Sequence, residues 1–137
     1  MKIIPYEHVS GVAFGASPKK ASAIFGKPEQ TARRTDDRRL EVVFPSLVCR
    51  FDARSRLVEV TASSDSFEIQ GCRIRPNKGR TVAFSQLGFA VGKLDPASFI
   101  VNGFIVSPRF GIAFDPDQPN CVTAFSKSEL VGWEKLA

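Results

Sequence analysis

Histidine is almost missing from this chain, which carries a single one, His8, and three scattered cysteines, Cys49, Cys72 and Cys121. A lone histidine far in sequence from the thiols, with no CxxC pair, excludes the ligand spacing of a zinc site. An odd, widely spaced set of cysteines among strand-like residues is not a disulfide framework, so buried thiols behaving as small hydrophobes are expected. No apolar run approaches the roughly 20 residues of a membrane helix. The opening Met1-Lys2-Ile3-Ile4-Pro5-Tyr6 has neither an apolar stretch of signal-peptide length nor a small-residue cleavage site. Taking Met1 as the native start, a cytoplasmic protein is expected, with no membrane partner. P-loop and dinucleotide glycine patterns are absent too, and the glycines fall at stops and turns, so no cofactor is expected.

The same scarcity argues against catalysis. A hydrolase or transferase needs a base, a nucleophile or a metal gathered in a pocket. His8 stands near the N-terminus, where a structural or surface role is expected. Asp36-Asp37, Asp52, Asp65, Asp95, Asp115 and Asp117 fall mostly in turn-like segments, where aspartate bonds its own backbone. Asp115-x-Asp117-x-x-Asn120 has the start of a calcium loop, but it lacks the glycine at the sixth place and the closing glutamate, and two prolines interrupt it. The chain reads as a protein without catalytic residues and without a metal site.

What is present in excess is phenylalanine, twelve residues against one Trp, one Tyr and one Met. These rings have no polar handle, and their number points to a core built on strands. Ser17-Pro18 opens a helix over Ser17–Phe25, with Gly26 and Pro28 closing it. Leu40–Phe44, Leu47–Phe51 and Leu57–Ala62 follow as strands around Pro45-Ser46 and the Asp52–Arg56 connection. Beyond the polar Ser63–Ser66 break, Phe67–Ile74 reads as a strand, Pro76–Gly79 as a turn, and Thr81–Leu87 as a short helix ended by Gly88. Asn102-Gly103 marks a hairpin between Phe99–Val101 and Phe104–Val106. Gly111–Phe114 and Cys121–Phe125 are further strands, and Lys127–Leu136 is a C-terminal helix with Leu130, Trp133 and Leu136 on one side.

Similar landmarks recur in the same order. Gly26 and Gly88, Phe51-Asp52 and Phe114-Asp115, and Val58 and Val122 lie about sixty residues apart, drifting by one at each step, which points to internal duplication. The expected fold is therefore α+β. One domain over 1–137 would hold an antiparallel sheet built from two similar helix-plus-strands halves, about 11–62 and 67–126, with short helices packed on one face.

Gly15-x-Ser17-Pro18 with Phe25-Gly26-x-Pro28, followed by Leu47-x-x-x-Phe51-Asp52-x-x-x-Arg56-Leu57-Val58-Glu59-Val60, resembles the unit of the outer-membrane assembly lipoprotein family of the small-protein-A type. A tandem copy of such a unit resembles the beta-lactamase inhibitor protein architecture. The first half carries most of the likeness. The chain departs from both families: with Met1 taken as the start, neither a signal sequence nor a lipobox cysteine is expected, and its cysteines do not sit as a secreted inhibitor's paired ones would. The resemblance implies the fold and a habit of binding proteins.

Two basic clusters remain: Arg33, Arg34, Arg38 and Arg39 with Lys19, Lys20 and Lys27, and Arg73, Arg75, Lys78 and Arg80, in a chain of net charge +5. Arginines of this kind suit phosphates or carboxylates. The interleaved Asp36 and Asp37, and the lack of exposed aromatic platforms, favour a protein surface. The expected function is that of a non-enzymatic protein-binding module, a bacterial cytoplasmic immunity or inhibitor protein that blocks a toxin or enzyme active site. Its partner would present an acidic contact surface. Arg33, Arg34, Arg38, Arg39, Arg73 and Arg75 are the candidate contacts, with Trp133 as a possible anchor. The alternative is a basic nucleic-acid or anionic-ligand binding protein using the same arginines.

Overall fold

A computed structural model of the chain describes residues 1–69, 80–118 and 120–137. The first helix, α1 (Pro18–Phe25), forms where the punctuation places it. Ser17 Oγ accepts the Lys20 N–H at 3.3 Å, Pro18 takes the first turn, and Gly26 ends the helix at φ +93°. Only a residue without Cβ adopts that conformation freely. It leads into four strands, β4 (Gln30–Arg33), β5 (Leu40–Val43), β6 (Leu47–Phe51) and β7 (Leu57–Ser63). The Phe44 N–H bonds the Leu47 carbonyl at 2.8 Å across Pro45-Ser46. Asp52 organises the β6–β7 connection by accepting the Arg54 and Arg56 N–H groups at 2.9 and 3.0 Å.

A second helix, α2 (Phe84–Leu94), leads into β10 (Phe99–Val101), β11 (Phe104–Ser107), β12 (Ile112–Phe114) and β13 (Cys121–Phe125). Asn102 and Gly103 close the β10–β11 hairpin with φ +51° and +84°, the two positive values a two-residue turn of this hand requires. The eight strands form one antiparallel sheet in the order β10-β11-β12-β13-β7-β6-β5-β4. Its two meanders meet at β7 and β13, where Thr61 stands opposite Thr123. At the ends of the sheet all four residues of β4 are exposed, while β10 leaves Ile100 73% exposed.

A smaller sheet holds β1 (Lys2–Ile4), β2 (His8–Val9), β3 (Val12–Ala13), β8 (Ser66–Ile69) and β9 (Arg80–Ala83) in the order β3-β2-β1-β8-β9, with β1 parallel to β8. The expectation of a single sheet is corrected here. The N-terminal strands are two or three residues long, too short to show a period of two in sequence, although Ile3, Val9 and Val12 are buried.

The main core lies on the inner face of the large sheet. Val42, Cys49, Val60, Ile112, Phe114 and Val122 meet Ala21 of α1, Leu87 and Val91 of α2, and Ile3, Val9 and Phe67 of the small sheet. The outer face carries Val106, Ala113 and Phe125, which are covered by a third helix, α3 (Lys127–Leu136), through Leu130 and Trp133. Helices therefore pack on both faces, which corrects the expectation of one. The outer apolar residues of β10–β13 need a cover of their own. A second correction concerns Gly88, which lies inside α2 rather than ending a helix, while residues 80–83 are a strand. Glycine in a helix interior costs only about 1 kcal/mol, and burial of Leu87, Ala90 and Val91 outweighs it. A Cβ on Gly88 would come within 3.9 Å of Ile105, so the glycine lets α2 lie close to the sheet. The Gly26–Gly88 landmark is therefore not a pair of helix stops. Among the described residues no helix is long and apolar enough to cross a membrane.

Candidate functional site

The β4–β5 hairpin holds four of the arginines singled out from sequence. Arg33 lies opposite Leu40, on the inner-face side of the edge, and its Nη1 donates to the Arg38 carbonyl at 2.8 Å. Arg38 sits at φ +60° in the turn. Arg34 Nε lies 3.6 Å from Asp36 and 3.8 Å from Asp37. Arg39 Nε lies 3.6 Å from Asp37, and its Nη1 is paired with Glu129 of α3. The hairpin is thus fastened to the N-terminal turn of the last helix. The Asp37 N–H bonds Asp36 at 2.8 Å and holds its carboxyl below the usual range, with Arg34 adding to the effect.

Beside the hairpin, the outer face of β5, β6 and β7 carries a polar ladder. Glu41, Arg50 and Glu59 stand in register on the three strands. Arg50 Nε donates to Glu41 at 3.2 Å, and its Nη1 donates to Thr61 Oγ1 at 2.8 Å. Thr61 Oγ1 and Thr123 Oγ1 share a hydrogen bond of 2.7 Å across the β7–β13 seam. That bond uses one of two hydroxyl protons, which leaves the other to donate outward. Glu59 lies 3.7 Å from Arg50 Nη1. Burial raises the Glu59 carboxyl above its ordinary value, and the Arg50 charge offsets this only in part.

The ladder runs into a groove of about 470 Å³ between the sheet and α3. Arg50, Glu59, Thr61 and Thr123 line it from the sheet, Phe104 and Trp133 form an aromatic side, and Asp115, Gln118 and Cys121 line it from the β12–β13 end. Trp133 is half-buried, its ring centre 5.7 Å from Phe104 and 6.0 Å from Phe125. Cys121 is partly exposed in the groove, whereas Cys49 is a core thiol pushed up to about 12 by burial. Cys72 lies outside the described residues. His8 sits in β2 of the small sheet, away from the groove lining. Among the described residues no group of three His, Cys, Asp or Glu side chains is placed to hold a metal ion.

Of the sequence candidates, the fold brings Arg39 and Trp133 together on the outer face through α3, and the field of Arg34 reaches Glu59 there. Arg33 lies on the other side of the edge and Arg38 at the turn. Arg73 and Arg75 lie outside the described residues. Sequence reasoning missed Glu41, Arg50, Glu59, Thr61 and Thr123. Their signal was present: charged or hydroxyl residues at outward positions of consecutive strands, nine residues apart from Glu41 to Arg50 and from Arg50 to Glu59. No protein-family model, curated protein or solved structure matches the chain.

Proposed function

We propose that this chain is a non-catalytic protein-binding module whose contact surface is the β4–β7 half of the outer sheet face, with the arginine hairpin and the flank of α3. The observation that carries this reading is charge balance. Arg34 is paired with Asp36 and Asp37, Arg39 with Asp37 and Glu129, and Arg50 with Glu41 and Glu59. Phosphate tracking needs a run of cations without partners, whereas a surface whose arginines are mostly paired suits complementary charges on another protein. Trp133 leans on Phe104 and Phe125 instead of offering a stacking platform.

The finer reading is a bacterial cytoplasmic immunity or inhibitor protein that blocks a toxin or enzyme active site. Its support is the small size, the broad open sheet face, and the resemblance of Gly15–Pro28 and Leu47–Val60 to units used for binding. Arg38, at the turn of the hairpin, has no carboxylate within ion-pair distance among the described residues and is a cation available to an acidic patch, whereas Arg33 lies on the other side of the edge. A common ancestral unit for the two halves is supported by order. Each meander of four antiparallel strands follows a helix, and their last strands form the central pair.

Capture from a bacterial lysate tests the reading with three baits: the native chain, Arg34→Glu/Arg38→Glu in the hairpin, and Lys19→Glu on α1. The expected result is a protein held by the native and Lys19→Glu baits, resistant to moderate salt, and lost from the hairpin variant. Equal retention by all three baits, or nucleic acid that elutes steeply with salt, overturns it.

A further inference from the structure

The carboxylate of Glu59 is enclosed without being satisfied. Its side chain is only 16% exposed, yet among the described residues it accepts no hydrogen bond. The nearest cation, Arg50 Nη1, is 3.7 Å away and is directed to Thr61, and Arg50 Nε is taken by Glu41. A desolvated carboxylate lacking a donor is costly, and a donor brought in from outside relieves that cost. Glu59 opens onto the groove, whose charged lining is Arg50 against Glu59 and Asp115, one cation for two carboxylates in a chain of net charge +5. Phe104 and Trp133 form the wall beside them. The volume of about 470 Å³ falls within the range of about 300–1,000 Å³ typical of small-ligand sites.

We propose that this groove receives one organic cation, an ammonium or guanidinium group that bonds Glu59 while its alkyl stem lies against Trp133 and Phe104, with Asp115 at the far end of the groove adding to the negative field. Resting on the protein-binding reading above, the occupant is a lysine or arginine side chain of the partner. The chemistry is selective. A cation gains the carboxylate of Glu59 and an aromatic wall for its stem, an arrangement that suits ammonium and guanidinium groups. An anion meets two like charges, and the one arginine present is already engaged by Glu41. The groove thus adds an opposite preference to that of the hairpin, and a partner surface carrying a basic side chain beside an acidic patch satisfies both.

Trp133 is the only tryptophan, so its fluorescence reports on the groove without a label. Titration with Nα-acetyl-arginine amide and Nα-acetyl-lysine amide is expected to give a saturable change, and inorganic phosphate and butyrate none. Glu59→Gln, shown to be folded by far-UV circular dichroism, should weaken amide binding at least tenfold. Glu59→Asp, which keeps the charge but draws it back from the groove, should also weaken binding and gives a second reading should Glu59→Gln fail to fold. Saturation by the anions, or amide binding unchanged in the folded variants, overturns the proposal. Much tighter binding of free agmatine than of the amino-acid amides overturns the side-chain assignment. The titration needs no partner, so it can succeed where lysate capture fails, and the reverse.

Discussion

Asp52 lies in the β6–β7 connection and Glu59 in the strand that follows it, and their surroundings act on them in opposite senses. Burial pushes Asp52 up, but the N–H groups of Arg56 and Arg54 and the Arg56 guanidinium, with Nε at 2.9 Å, more than reverse this and leave it lowered. Burial raises Glu59, against the opposing charges of Arg50, Arg39 and Arg34 and with the like charge of Glu129. A lowered acid stabilises the fold above its unfolded value and loses that contribution as pH falls through its folded value. A raised acid acts in reverse, so stability declines as pH rises from the ordinary glutamate range through the raised value. Urea denaturation over a pH series is expected to show this decline in the native chain and to lose it in Glu59→Gln. Asp52→Ala should cost about 1–2 kcal/mol near neutrality and remove part of the acid loss. The two residues also differ in legibility. Aspartate between polar neighbours after a strand reads directly as a turn organiser. Strand alternation places Glu59 outward, where solvent is the default, and it cannot tell that α3 and the hairpin fold over it.

Elements bounded by stereochemistry were readable, and elements bounded by packing were not. Ser17-Pro18 and Gly26 fix α1 through caps, and Asn102-Gly103 fixes a hairpin through positive φ, both independent of tertiary structure. Nothing lies within 4 Å of a Cβ at Gly103, so Gly103→Val isolates the backbone cost. It should lower stability by about 1–2 kcal/mol in chemical denaturation, with the native far-UV spectrum retained. A change below a few tenths of that would mean the turn tolerates a β-branched residue. Helix α2 defeated the same reasoning because the apolar stripe of Leu87 and Val91, continuing past Gly88, gains more by burial than glycine costs. For α3 the stripe through Leu130 and Trp133 was legible, but the choice of sheet face depends on Val106, Ala113 and Phe125, which belong to other strands.

At the scale of the molecule, the α+β class and the order of the meanders followed from turns and alternation. The pairing of β7 with β13 and the separate small sheet depend on long-range register, which one short strand does not encode. That pairing joins the two meanders into one long sheet and so gives it two unequal ends. At β4 every residue is exposed and the strand runs into Arg33 and Arg34, charges that discourage another chain from docking edge to edge. At β10 the run Phe99-Ile100-Val101 carries no charge and Ile100 stands in solvent. Aggregation in concentrated solution should therefore begin at that end. Light scattering is expected to show Ile100→Lys staying monodisperse at concentrations where the native chain grows, with melting temperature nearly unchanged. Equal growth in both would place the sticking surface elsewhere. The sheet is insulated at one border and adhesive at the other, and the adhesive border turns on one outward side chain, Ile100.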